Sequence, residues 1–226
     1  MKEMKPQGYQ LNTVEAYCLR KNAEERYGLI SPRYLMRSLD VVYSSLAKFS
    51  RVCAIRVDLR FAQERWGGDP DLPTCFQRTD PQAITRFIES LKSQLRGEHQ
   101  RKGRRGEPAL FEYVWVREQD RGDYPHYHLV LLFNKDEYAF LGDYRDPDAN
   151  NMATRIQKAW CSALGLHYPD YTNLVHFPQN AVYAMDRRSA TVHSESYLNF
   201  LMRIAYLAKK RTKDIADGYR HFGCSQ

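Results

Sequence analysis

The run His126-Tyr127-His128-Leu129-Val130-Leu131-Leu132-Phe133 is apolar on both faces of an extended chain from Leu129 onward. A strand of that kind has water on neither side, so it belongs in the interior of a sheet with further layers packed on it. The preceding run from Phe111 to Glu118 is also strand-like, and the turn-rich QDRGDYP between the two predicts an antiparallel hairpin.

The remaining elements follow from period and punctuation. A helix is expected around Val14 to Tyr27, and Ser31-Pro32 is an N-cap and first-turn signal. Leu35, Leu39, Val42, Leu46 and Phe49 then recur at helical spacing, which predicts a helix from Pro32 to Phe49. From Arg51 to Phe61 the period changes to two. Cys53, Ile55, Val57, Leu59 and Phe61 alternate with Arg56, Asp58 and Arg60, the pattern of a strand with one wet, charged face. A Gly-, Pro- and Asp-rich loop leads to a helix around Pro81 to Leu95, and GEHQRKGRRGEP reads as a basic loop. Further on come a helix around Met152 to Leu164, a short strand at Asn173 to Phe177 and a loop of about a dozen residues. A last helix from Glu195 to Ala216 is closed by Gly218. This order predicts an α+β fold, a central antiparallel sheet with flanking helices. In 226 residues no composition break separates two domains. Residues 1–30 read as a lead-in segment and 31–226 as the body.

His126 and His128 are two apart on one strand, so both side chains project from the same face and can close on one ion. With seven histidines such a pair arises by chance in about one chain in five, so context carries the assignment. The alternative is two polar side chains on a solvated face. Against it, an apolar central strand has little reason to carry two same-face imidazoles. A third ligand is available in Glu118: if the turn holds an odd number of residues, Glu118 faces the same side as both histidines. An even turn would leave Asp120 or Asp123 as substitutes. Two imidazoles and a carboxylate with open positions suit manganese or magnesium bound together with a phosphate oxygen, and would also accept zinc.

On the last helix Tyr197, Leu201, Ile204 and Ala208 form the apolar stripe, while Asn199, Arg203, Tyr206, Lys210 and Lys213 form a second one, with Lys209 a turn beyond Tyr206. Tyr206 therefore lies among cations. A phenol attacks phosphorus poorly until cations stabilise its ionised form and an ion polarises the phosphate, and Lys209 is the best-placed helper. The alternative is a ring packed on the sheet edge beside solvated lysines.

The net charge of +7 favours a polyanionic partner. Arg56 and Arg60 on the charged strand face are candidate DNA contacts, as are Arg203, Lys210, Lys213 and the RKGRR run at Arg101 to Arg105. Trp115 or Tyr127 are candidates to stack bases, with Trp115 reading equally as a core residue. Asp58 lies between two arginines, where an intrastrand charge pattern is the simpler account and help to a metal the other. Five scattered cysteines without Cys-x-x-Cys spacing argue against a disulfide framework or structural zinc. The amino terminus carries no apolar leader and no stretch is long enough to cross a bilayer, so a soluble, cytoplasmic protein without a membrane partner is expected.

Strand, His-hydrophobe-His strand and Tyr-x-x-Lys, in that order, resemble the HUH endonuclease superfamily. The likeness runs to rolling-circle replication initiators of filamentous phages and related prophage proteins, through YPHYHLVLLFN, YLAKKRTK and GYRHFGCS. It spans Arg51 to Ser225 and implies a ferredoxin-like or RRM-like sheet. Carried over, it implies His126, His128 and Glu118 as metal ligands, Tyr206 as nucleophile and Lys209 as its partner. Some members carry a second tyrosine four residues on; here that position is Lys210, which implies a single-tyrosine enzyme. The implied activity is nicking and joining of single-stranded DNA at a replication origin through a 5′-phosphotyrosine, with a host helicase and polymerase as partners. Two readings compete with it. One is a DNA-binding regulator that keeps the fold without cutting, and the other a transposition or mobilisation nickase of the same chemistry.

Overall fold

The computed structural model describes residues 8–62, 76–119, 124–210 and 217–225. Its centre is an antiparallel sheet built from β1 (Arg51–Leu59), β2 (Glu112–Glu118), β3 (His126–Asn134), β4 (Val175–His176), β5 (Val182–Asp186) and β6 (Phe222–Cys224). The order is β4-β1-β3-β2-β6, with β5 also pairing β1. The doubly apolar strand β3 is central, as its composition requires. Helices α1 (Thr13–Tyr27), α2 (Pro32–Lys48), α3 (Ala83–Arg101), α4 (Met152–Leu164), α5 (Arg187–Thr191) and α6 (Glu195–Leu207) flank the sheet. The expected α+β architecture is the one observed.

Period two on β1 and β3 divides the interior into two cores. Ile55, Val57, Leu129 and Leu131 meet α3 and α4 through Phe87, Leu91, Ile156 and Trp160. Val52, Ala54, Val130 and Leu132 meet α2 and α6 through Leu39, Leu46, Leu201 and Ile204. Helix starts follow local chemistry. Ser31 Oγ accepts from the Tyr34 N–H with Pro32 at the first helical position, and Asn12 and Glu15 close a reciprocal capping box on α1. Helix α1 is not peripheral, because Leu19 and Ala23 are buried in the α2/α6 core.

Several expectations are corrected. The charged face of β1 is not wet: Arg56 and Asp58 are only 6% and 5% exposed. Helix α3 continues to Arg101, through residues that read as a basic loop. Its buried stripe carries on to Glu98, whose carboxylate meets Arg155 at 3.0 Å and Lys102 at 2.6 Å. Packing and these ion pairs outweigh the roughly 1 kcal/mol cost of Gly97 in a helix. The loop expected after residue 177 contains β5 and α5, and a third unexpected element, β6, pairs β2.

Helix α6 ends at Leu207 rather than near Ala216. Beyond it, Lys209 forms an antiparallel bridge with Ile30. Ser31 N–H donates to the Ala208 carbonyl, and Lys210 N–H donates to that of Leu29. Residues 211–216 lie outside the described set. Among the described residues, Cys18, Cys53, Cys161 and Cys224 are free thiols and no helix is long and apolar enough to cross a membrane.

Candidate active site

Three elements meet where β2 ends and β3 begins. The register sets Glu118 opposite His126 and Val116 opposite His128. The connection between the strands, residues 119–125, therefore holds an odd number, and Glu118, His126 and His128 share the face beneath α6. Nε2 of His126 lies 3.2 Å from Nε2 of His128, which lies 3.5 Å from Oε2 of Glu118. One ligand atom from each residue fits within 4.8 Å of the other two. Neighbouring ligands about 2.2 Å from an octahedral ion stand roughly 3.1 Å apart, so two imidazoles and a carboxylate at these spacings fit a divalent cation of the manganese or magnesium kind. Asp120 and Asp123, the alternative ligands, lie outside the described residues.

The next layer comes from β1. Its register places Asp58 opposite His128 on one side and opposite His176 on the other. Oδ1 of Asp58 sits 2.5 Å from Nδ1 of His128, and Oδ2 sits 3.4 Å from Nδ1 of His176. The carboxylate thereby holds the His128 proton on Nδ1 and leaves Nε2 as the lone-pair donor facing His126 and Glu118. Burial pushes the Asp58 carboxyl up. The hydrogen bond from His128, with the charges of His128 and Arg56, outweighs it and holds the pKa at about 2. Burial likewise pushes His128 down, but its bonds to Asp58 and Glu118 leave it raised overall.

Tyr206, on the last turn of α6, and Lys209, just past the helix, complete the cluster. The Lys209 ammonium donates to the Tyr206 hydroxyl at 2.8 Å and lies 3.0 Å from Oε2 of Glu118. Burial pushes Lys209 down, yet these two acceptors leave its pKa raised, so it is a cation at neutral pH. The Arg56 guanidinium stands 4.8 Å from the centre of the Tyr206 ring, the His128 ring 6.0 Å away, and Tyr27 of α1 meets the same ring edge-on at 5.3 Å. The phenol is thus held between two cations, with its hydroxyl toward the Glu118 end of the cluster.

All five residues expected for metal and nucleophile converge here. The expected DNA contacts do not form one group. Arg56 is buried under Tyr206 and unavailable to an open strand. Arg60 is exposed just past β1, and Arg203 donates through Nε to the Tyr183 hydroxyl. Lys210 is exposed, and Lys213 lies outside the described residues. The basic run is at the far end of the sheet, where Arg104 pairs with Glu137 just after β3. Tyr127 is 1% exposed, sealed in the α3/α4 core, and cannot stack a base. Two residues, Tyr27 and His176, go unseen in the sequence as parts of this site, and Asp58, for which help to a metal is one of two readings, is the carboxylate bonded to His128. Only Asp58 carried a signal, since its even spacing from Arg56 and Ala54 puts it on a definite face of β1.

A family model described as the YagK/YfjJ C-terminal domain matches residues 13–225. Two Escherichia coli K12 proteins are similar along most of their length. Uncharacterized protein YagK is 39% identical over 183 residues, 79% of this chain and 85% of that protein. Uncharacterized protein YfjJ is 35% identical over 208 residues, 90% of this chain and 98% of that protein. No solved structure matches the chain.

Proposed function

This chain belongs to the YagK/YfjJ C-terminal domain family, and we propose that it is a metal-dependent, single-tyrosine nickase and strand transferase of HUH type acting on single-stranded DNA. One observation carries the reading. The Tyr206 hydroxyl, the Lys209 ammonium and the Glu118 carboxylate form a chain of contacts at 2.8 and 3.0 Å that joins a nucleophile directly to a two-histidine, one-carboxylate ligand set.

A divalent ion held by His126, His128 and Glu118 supplies, when bound, Lewis-acid polarisation of a phosphate oxygen. The chain's own groups do the rest. Asp58 keeps His128 in the tautomer that presents Nε2. Lys209 and Arg56 stabilise negative charge on the Tyr206 phenolate. Tyr206 attacks phosphorus in line: a bond forms between its oxygen and phosphorus, the bond to the 3′ oxygen breaks, and the phenolic proton ends on the departing 3′ hydroxyl. The product is a 5′-phosphotyrosine and a free 3′ end. The ester is conserved, so the step can run backwards to join strands, and the free hydroxyl can prime synthesis. This suits the start of rolling-circle replication of a phage or prophage-like element, with a helicase and polymerase recruited to the nick.

The test is incubation of the protein with labelled single-stranded DNA from its own replicon and manganese, followed by denaturing electrophoresis. A covalent adduct is expected, absent in Tyr206→Phe and in His126→Ala/His128→Ala. Salt-sensitive DNA binding with no adduct under any divalent metal would replace the nickase by a DNA-binding regulator on the same fold.

A further inference from the structure

A groove of about 640 Å³ opens beside β6, between the first turns of α2 and of α3. Two hydrogen-bonded connections tie it to the tyrosine centre. The Arg117 N–H, one residue before Glu118, donates to the His221 carbonyl at 2.9 Å, and Ile30, shortly before α2, bridges Lys209. One wall of the groove therefore starts next to a metal-ligand residue and the other next to the partner of the nucleophile.

Its lining is cationic and aromatic. Arg33, Arg37 and Arg220 are exposed. The carboxylate among the lining residues, Glu89, is bonded to Lys92 at 2.9 Å. Tyr34 stacks on Phe222 with ring centres 4.5 Å apart and planes 6° from parallel. The Trp115 indole lies directly over Gly223, where a Cβ would meet ring carbons at 2.5 Å, and Tyr219 is 53% exposed. Arginines for phosphates interleaved with aromatic faces for unpaired bases are the chemistry that binds a single strand without reading its sequence. A duplex keeps its base faces stacked inside and gains nothing from Trp115 or Tyr219.

We infer that this groove holds the stretch of single-stranded DNA that flanks the scissile phosphate and delivers it to Tyr206. The inference rests on the nickase reading for its substrate and goes beyond it in assigning Arg33, Arg37, Trp115, Tyr219 and Arg220 to the path of the strand.

The experiment uses the full chain and a fluorescein-labelled single strand of about 20 nucleotides, with chelator present so that no cutting intervenes. Anisotropy is read across a salt series. The Arg33→Ala/Arg37→Ala protein should bind at least tenfold more weakly, with the slope of log K against log salt shallower by about 1.4, two phosphate contacts on a single strand. Arg145→Ala, at an exposed arginine bonded to Asp143 elsewhere, should bind as wild type. Ultraviolet crosslinking of a 5-iodouracil-substituted strand to unmodified protein, which needs no variant to fold, should map to peptides carrying Trp115 or Tyr219. Unchanged affinity with crosslinks elsewhere overturns the groove while adduct formation with Tyr206 leaves the nickase standing. Equal binding of the duplex form overturns the single-strand assignment. No binding of any strand by the wild-type chain overturns both.

Discussion

The Lys209 ammonium and the Tyr206 hydroxyl are 2.8 Å apart although Lys209 has already left the helix that carries Tyr206. The bridge from Lys209 to Ile30 fixes the lysine backbone, so its side chain returns over the phenol from a strand-like segment and reaches Glu118 as well. Lys209→Met should slow adduct formation by about 10²- to 10³-fold, the usual loss for one preorganised charge-stabilising donor, while manganese binding persists. Single-turnover adduct kinetics read the first and calorimetry the second. An unchanged rate would remove Lys209 from the chemistry.

Asp58 touches the proposed metal ligands at His128. Asp58→Asn should weaken manganese affinity by about 10- to 100-fold, as loss of an outer partner of a ligating histidine does. Titration calorimetry against wild type and His176→Ala separates the two contacts of the carboxylate. Equal affinity in Asp58→Asn and wild type would reduce the pairing at 2.5 Å to a structural one.

Metal binding should also appear as stability, because the three ligands come together only in the folded chain. Manganese at one hundred times its dissociation constant should stabilise the native state by about 2.7 kcal/mol. The measurement is a rise in melting temperature that chelator reverses. No such rise should occur in His126→Ala/His128→Ala.

Gly223 is opposite Trp115 in the β2–β6 pair, and the indole occupies the space a side chain would need. Gly223→Ala should cost about 1 to 3 kcal/mol through overpacking. Trp115→Leu in the same protein should recover part of it. Chemical denaturation of the single and double variants decides the matter, and independent, additive losses would contradict the close approach.

Trp160 is fully buried between Phe61, Phe87 and Tyr127, and its indole N–H donates to the Arg60 carbonyl at 2.7 Å. Trp160→Ala should destabilise the protein by about 3 to 5 kcal/mol. Its effect on adduct formation at temperatures where the variant stays folded should be small, because the residue belongs to the α3/α4 core and the tyrosine centre to the opposite face.

Much of the site could be read from local pattern. Same-face imidazoles at 126 and 128 follow from the period of a strand, whereas the sharing of that face by Glu118 hangs on the parity of the hairpin connection, which the strand register sets. Tyr206 stands out in the sequence by its place among cations, whereas its contact with His128 and Arg56 depends on α6 crossing the sheet at that point. The charged face of β1 reads as wet from sequence for the same reason: alternation tells two faces apart but not which of them another layer will cover. Strands β5 and β6 are short and exist as strands through their pairing with β1 and β2, so their local sequence carries little trace of them.

Local pattern carries the long helices and strands, the central place of β3 and the same-face placement of His126 and His128, because periodicity is a local property of the chain. The register that brings Glu118 to that face, the pairing of Asp58 with His128, the burial of Arg56 against Tyr206 and the end of α6 at Leu207, from which Lys209 reaches both Tyr206 and Glu118, come from the assembled fold. Those outcomes depend on register between distant strands and on which helix covers which face, and they are set by the summed packing and hydrogen bonding of segments far apart in the chain.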